Sequence, residues 1–426
     1  MKTSSLNSPS PHLSPPWGEG KSPTRHSRSG DGAGERFSLS LLFKRFFKLG
    51  ATAYGGPAMS GQIKQVVVGD YGWIKEQEFL HGIALCQLIP GATNVQLVTY
   101  IGYRLRGIWG ALFSAVAFTL PAFIVIVILS TIYFKAQTLW FIEALFKGLG
   151  AIVVAIVLNA CITLGRSILR DWKVALISFL SFFGFFFRWN IILIFILAAF
   201  AALFLHPKGN KTESPSHHED LKFTTKKGKD YLILGPLIIL VYLGLVLCYV
   251  INPQLTYLSL TLSKIGALAF GGGFTMIPLI QYEVVDHFHW LTTKEFLDGI
   301  ALGQITPGPI MITATFIGYK LSGLFGALVA TIGIFSSSFF ILVLLIPHYD
   351  RLRRVEIVKT MERGILGSFI GMLGLVLYNF GRAVFVDIPS IIFAAAAFIA
   401  LLKKIDLPYI LLSGAILSIL IFGLLN

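Results

Sequence analysis

From residue 37 onward the chain is a series of apolar runs of about twenty residues, separated by short polar or basic segments. Runs of that length match the ~30 Å hydrocarbon thickness of a bilayer. The pattern predicts membrane spans at 41–62, 82–104, 108–134, 141–165, 172–187, 189–206, 231–251, 257–280, 297–320, 324–346, 361–385, 388–402 and 408–425. Tight turns leave the span number within 172–206 and 388–425 open, and Gly55-Gly56-Pro57 interrupts the first run. Two stretches lack apolar runs. Residues 1–36, rich in Ser, Pro, Gly and basic side chains, cannot bury a core and are expected to be disordered. They have no continuous apolar region of the kind a secretory signal peptide needs. Residues 207–230 carry six lysines and read as a solvated cytoplasmic linker.

The pattern also repeats. Displaced by 216 residues, Gly50 meets Gly266, Gly55-Gly56 meets Gly271-Gly272 and Gln65 meets Gln281. After a one-residue insertion, EFLHGIALCQLIPG from Glu78 meets EFLDGIALGQITPG from Glu295, and after a compensating deletion IGYRLRG from Ile101 meets IGYKLSG from Ile317. This is an internal duplication. The expected fold is therefore an all-α polytopic membrane protein of about thirteen transmembrane helices, with two six-span halves (37–206 and 252–426) and one unmatched span, 231–251, between them. An odd number of spans separates equivalent points, so the second half enters upside down: an inverted-topology repeat, an architecture common among secondary transporters.

Composition narrows the picture. The chain has 55% hydrophobic and only 13% charged residues, with mean hydropathy +0.75. A soluble domain averages about 25% charged residues. The net charge of +14 lies in the tail and in short loops, which is an orientation signal rather than a nucleic-acid surface. With the N-terminus cytoplasmic, the basic clusters around Arg104, Arg166, the linker lysines, Arg351–Arg354 and Lys403-Lys404 fall inside, and the C-terminus falls outside. Cys86, Cys161 and Cys248 are scattered in apolar runs and form no metal or disulfide pattern. His217-His218 reads as part of a solvated loop. An enzyme or redox subunit would need a nucleophile, a metal set or paired haem histidines. None is legible, and no cofactor is expected.

Candidate chemistry lies where the spans are broken. Helix-interior glycine costs about 1 kcal/mol relative to alanine and proline about 3, and a freed backbone group in lipid costs several more. Such breaks persist where the backbone lines a cavity. They occur at Gly55, Gly56 and Pro57, at Pro90 and Gly91, at Gly271, Gly272 and Gly273, and at Pro307, Gly308 and Pro309. A helix restarting after a break aims free N–H groups and a partial positive charge at the cavity, which suits an anion. Neutral donors accompany the breaks: Ser60, Gln62, Gln65, Gln87, Thr93 and Asn94 in the first half, and Thr275, Gln281, Gln304 and Thr306 in the second. The small-residue pairs Gly82/Cys86, Gly299/Gly303 and Gly367/Gly371 read instead as helix-packing contacts. Glu78 and Glu295 read as helix N-terminal charges. Glu283, at the end of the glycine-triplet run, is the candidate gate or proton site, because an ionisable group beside a transport path is a functional suspect.

The stretch FGGGFTMIPLIQYEVV, with LTTKEFLDGIALGQITPGPIMITATFIGYKLSG after it, resembles the second half of the chromate ion transporter family, in its long two-domain form. YGGPAM with LCQLIPG resembles that family's first-half motif. The resemblance covers nearly the whole chain from Phe37. It implies a multi-pass bacterial inner-membrane protein that exports chromate and confers chromate resistance, with sulfate as the related oxyanion. A proton-coupled transporter of sulfate or another anion is the alternative, and a homodimer is compatible with either. The implicated substrate-binding residues are Gly55, Gly56, Pro57, Gln87, Pro90, Gly91, Gly271, Gly272, Gly273, Gln304, Pro307, Gly308 and Pro309. The first half departs from the family pattern in having Tyr54 before the glycines, Ser60 at a frequent histidine position, and Pro90-Gly91-Ala92 in place of a PGP step.

Overall fold

A computed structural model of the chain describes residues 38–54, 57–205, 227–348 and 356–424. The N-terminal tail, Gly55, Gly56 and linker residues 207–226 lie outside the described residues, as do His217 and His218. The described residues form helices and turns, with one isolated bridge between Tyr54 and Gly308. In chain order the helices are α1 (Leu39–Thr52), α2 (Pro57–Lys64), α3 (Glu76–Leu88), α4 (Thr93–Ala136), α5 (Trp140–Ile168), α6 (Trp172–Phe186), α7 (Ile191–Leu205) and α8 (Lys227–Ile251). There follow α9 (Pro253–Leu268), α10 (Met276–Ile280), α11 (Thr293–Ile305), α12 (Thr313–Leu345), α13 (Glu356–Val384), α14 (Ile388–Leu402) and α15 (Leu407–Leu424). Helices α1–α7 match α9–α15 one for one, and α8 has no counterpart. It begins at Lys227, four residues inside the expected linker. Short π-helical turns, Gln65–Asp70 and Gln281–His287, extend α2 and α10 at equivalent places.

Among the described residues, five helical stretches are long and apolar enough to cross a membrane. Their outward faces carry large apolar side chains, such as Leu243 and Leu247 on α8, that are more than half exposed. In water such a continuous apolar surface would drive association; against lipid it is the natural boundary. The chain is thus an integral membrane protein.

The predicted spans 82–104 and 297–320 are not single crossings. In the first, α3 and residues 93–105 of α4 run antiparallel. A Cβ on Gly82 would lie 2.6 Å from the Tyr100 ring, and the Arg104 guanidinium pairs with Glu78 at the open end. In the second, a Cβ on Gly299 would lie 2.5 Å from the Phe316 ring, and Lys320 Nζ pairs with Glu295 at 2.6 Å. Each arm, 13 residues long in α3 and α11, reaches only about 20 Å at 1.5 Å per residue, short of the ~30 Å core. The physical reason is the Pro-Gly step. Proline stops the first arm, and Gly91 and Gly308, at φ 133° and 115°, reverse the chain.

The predicted spans 41–62 and 257–280 double back in the same way. Arg45 lies 4.7 Å from the Tyr71 ring, Phe46 packs on Trp73, and Lys264 reaches Glu283 across the glycine triplet. A third kind of reversal occurs inside α4 and α12. Residues Arg106–Gly107 and Ser322–Gly323 leave helical conformation, and Gly102 then packs on Gly110, as Gly318 packs on Gly326. Residues 108–136 and 324–345 leave these turns as long helices.

Helix pairs were expected at 172–206 and 388–425, and α6/α7 and α14/α15 are there. They are exchanged between repeats. The α6/α7 pair packs against α13 of the second repeat, and α14/α15 packs against α5 of the first. Gly148 on α5 donates its N–H to Ser418 Oγ on α15 at 2.9 Å. At the equivalent seam, a Cβ on Gly364 would lie 2.4 Å from the Ala198 carbonyl on α7. The glycines let the backbones approach closely. Gly367 and Gly371 do the same against Val174 and Ser178 of α6. The long arm of α4 likewise crosses to the second repeat, where Tyr133 donates to Asp298 of α11 at 2.7 Å between buried side chains.

Candidate functional site

The four chain reversals converge. Gly91 N donates to the Ala269 carbonyl at 2.7 Å, and Gly308 N donates to the Ala53 carbonyl at 2.8 Å. Ala53 is equivalent to Ala269, and Gly91 to Gly308, so exchanging the repeats turns one bond into the other. Each bond joins the first reversal of one repeat to the second reversal of the other. Within the first repeat, Ser60 Oγ donates to Asn94 Oδ1 at 2.7 Å, tying the start of α2 to the start of α4. Within the second, Gly273 lies against Ile310, a Cβ on it falling 3.3 Å from the Ile310 side chain. The Thr93 hydroxyl lies 3.9 Å from a Cβ placed on Gly272. The tips therefore form a closed ring in which contacts between repeats alternate with contacts within a repeat.

The ring is built from backbone geometry that side chains oppose. Gly91, Gly271, Gly272 and Gly308 all have positive φ. At Gly91 a Cβ would also fall 2.1 Å from Ser338 Oγ, and at Gly308 it would fall 2.8 Å from Ala122 Cβ. Pro309 caps the short turn before α12, and the first backbone bond beyond it runs from Ile312 N to Pro309 O at 3.0 Å. In the first repeat the equivalent bond runs from Gln96 N to Ala92 O at 2.8 Å, so the amides of Thr93, Asn94 and Val95 precede the intrahelical ladder.

The sequence-predicted residues are brought together unevenly. Pro90, Gly91, Gly271, Gly272, Gly273, Pro307, Gly308 and Pro309 lie at the tips, and Pro57 opens α2. Gly55 and Gly56 lie outside the described residues. Gln304 is buried, and its Nε2 has no partner among the described residues. Its equivalent, Gln87, is exposed. Gln281 is buried, whereas its equivalent, Gln65, bonds to Asp70 at the surface. Glu78 and Glu295 act as expected at helix starts, accepting from the Lys75 and Thr292 amides, and they also close the open ends of the two hairpins.

Two tip residues escaped sequence reasoning. Gln96 is buried and donates its amide to the Pro90 carbonyl at 2.7 Å, satisfying the group that the Pro-Gly step frees. Ser338 is buried against Gly91 with its hydroxyl unpartnered among the described residues. The available signal was polarity alone: Gln96 sits in the apolar run 95–101, and Ser336–Ser338 is a hydroxyl triplet in a long apolar helix. Among the described residues, no group of three or more His, Cys, Asp or Glu side chains is placed to hold a metal ion.

Glu283 stands apart from the ring. It is buried on the π-helical turn, with Oε1 at 2.5 Å from Lys264 Nζ and Oε2 at 3.4 Å from His287 Nδ1. A small cavity beside it runs down to Leu268, the residue before the Ala269 tip.

The family described as Chromate transporter matches residues 40–203 and again 256–419. An uncharacterized transporter of Methanocaldococcus jannaschii is 34% identical over 385 residues, covering 89% of this chain and 94% of that protein. A chromate transport protein of Cupriavidus metallidurans is 28% identical over 397 residues, covering 92% of this chain and 95% of its own. One from Pseudomonas aeruginosa is 29% identical over 402 residues, covering 90% and 93%. No solved structure matches the chain. Two matched repeats, a ring of glycine and proline tips common to both, and full-length relatives agree: this chain belongs to the chromate transporter family.

Proposed function

We propose that the chain exports chromate, a tetrahedral dianion, through the ring of four tips. The observation that carries the reading is the reciprocal pair of bonds, Gly91 to Ala269 and Gly308 to Ala53. It brings the starts of four helices to one place, and at α4 the amides of Thr93, Asn94 and Val95 precede the first intrahelical bond. Restarting helices present partial positive charge, and neutral donors from Thr93, Gln304 and Ser338 add hydrogen bonds without a fixed cation. Such a cage holds a dianion loosely enough to release it. It also penalises hydrogen phosphate, whose proton would need an acceptor.

Two re-entrant hairpins contribute no net crossing. Residues 108–136 and α5 then cross once each, and α6/α7 returns to its starting side whether or not it spans. An even number of crossings thus precedes α8, and the second repeat is inverted. On this reading residues 71–75 share the side of the N-terminus and residues 288–292 lie opposite, so Lys75 moves inside and Lys294 outside relative to a simple span count. With the N-terminus cytoplasmic, a potential of 100 mV is worth about 2.3 kcal/mol per charge, or ~4.6 for an exported dianion. Export needs a path and a gate, not a coupled ion.

The test is chromate flux in proteoliposomes under an imposed potential, with and without a pH gradient, for the wild type, Gly272→Ala and Pro307→Ala. Potential-driven flux that sulfate inhibits, that phosphate does not, and that both substitutions reduce is the expected result. Unchanged flux in both variants removes the tip assignment. Flux that follows only the pH gradient supports proton-coupled anion transport instead.

A further inference from the structure

The two repeats differ most beside the first reversal of each, which in the second repeat is the glycine triplet. In the second repeat, Lys264, Glu283 and His287 meet across a cavity of about 160 Å³ also lined by Tyr282, Asn190 and Leu268. The equivalent positions in the first repeat are Lys48, Val67 and Tyr71. There Lys48 is exposed and Val67 fully buried, with no acid opposite the lysine. The Glu283 side chain is 5% exposed, while Lys264 and His287 are 39% and 58% exposed. The carboxylate, the Lys264 ammonium and the His287 ring all line the cavity. At about 30 Å³ per water, the space equals roughly five waters, enough for a five-atom oxyanion once the carboxylate swings away.

We infer that Lys264, Glu283 and His287 form a second oxyanion station at the mouth of the path, with the Glu283 carboxylate as a tethered plug. The plug occupies Lys264 as a free oxyanion would, and removing the charge of the Glu283 side chain frees the ammonium to bind an anion in its place. The other charged groups nearby are Asp286 and His289 from the same segment and Arg188 from the α6–α7 turn. His289 Nδ1 already lies 2.7 Å from the Val285 carbonyl. Leu268 connects the cavity floor to the Ala269–Gly91 bond, so an anion released from the station faces the ring. The first repeat, with valine and tyrosine at these positions, has no such plug.

This inference rests on the oxyanion-transport reading, and the experiment separates them. Sulfate is the probe, because chromate itself takes up a proton near neutral pH. Radiolabelled sulfate binding to the purified full chain is measured by equilibrium dialysis at one fixed pH. Glu283→Gln, which keeps the shape of the plug and removes its charge, binds about tenfold more tightly than the wild type. The double variant Lys264→Met with Glu283→Val, which leaves no buried charge unpaired, loses that gain. Identical binding by all three proteins overturns the station and leaves the tip reading standing. Absence of chromate flux in wild-type proteoliposomes overturns the tip reading itself.

Discussion

The two repeats share their reversals and differ in what surrounds them. Both put a positive-φ glycine after a proline, both close the resulting hairpin with a glutamate and a basic residue, and both hand a main-chain bond to the other repeat. Around that common frame, the first repeat joins its α2 and α4 starts by Ser60 and Asn94, where the second places Gly273 against the apolar Ile310. Among the described residues, Glu283 of the second repeat is buried against Lys264, where the first repeat has Val67. The two repeats therefore share their backbone geometry and differ in the side chains around it.

The shared frame is the place to break first. Gly91→Ala and Gly308→Ala each force a side chain into positive φ and into packed neighbours. A residue so strained costs about 1–3 kcal/mol, before the clash is counted. We expect chromate flux in proteoliposomes to fall by about tenfold or more in either variant. A large loss in one and none in the other would show that the ring is not shared between repeats.

The cross-repeat tie of Tyr133 to Asp298 comes next. Asp298→Ala leaves the buried Tyr133 hydroxyl without its acceptor, at a cost of about 1–3 kcal/mol. The double variant Tyr133→Phe with Asp298→Ala, which removes both partners, should cost less than the sum of the two single changes, because neither polar group is then left buried and unpaired. Thermal denaturation in detergent reads the order directly.

The equivalent seams at Gly148 and Gly364 sharpen the comparison. A Cβ at Gly364 would lie 2.4 Å from the Ala198 carbonyl, and one at Gly148 would lie 2.2 Å from Ser418 Oγ and 2.6 Å from its Cβ, so neither neighbour can yield by rotation alone. Gly364→Ala and Gly148→Ala should each lower thermal stability by about 1–3 kcal/mol. The smallest effect belongs to Lys147→Met. The Lys147–Asp387 pair is partly exposed, and such pairs contribute about 0–1 kcal/mol. A melting shift comparable to that of Gly364→Ala would mean that this contact is more than a surface pair.

Much of this architecture was legible in the sequence. The duplication, the long helices and the α6/α7 and α14/α15 pairs follow from apolar periodicity and turn residues. The tips were found because proline and glycine triplets have no packing role in a buried helix. The fold-back was missed, since a twenty-residue apolar run with a Pro-Gly step at its centre has the length of a span. The corrective clue was present at both ends of each run: Glu78 with Arg104, and Glu295 with Lys320. Opposite charges flanking a Pro-Gly step at equal distance can pair only if the chain turns back. Gln96 and Ser338 were passed over because their roles depend on contacts far along the chain.

The exchange of helix pairs between repeats bears on how the molecule is made. As α5 leaves the ribosome, the surface that α14/α15 will cover has no occupant for more than two hundred residues of synthesis, and α6/α7 waits in turn for α13. Neither half is a finished unit at birth. The first is held open as a template, and the native molecule forms only when the last helices arrive, so chain truncation near the C-terminus would strip the first repeat of its own neighbours.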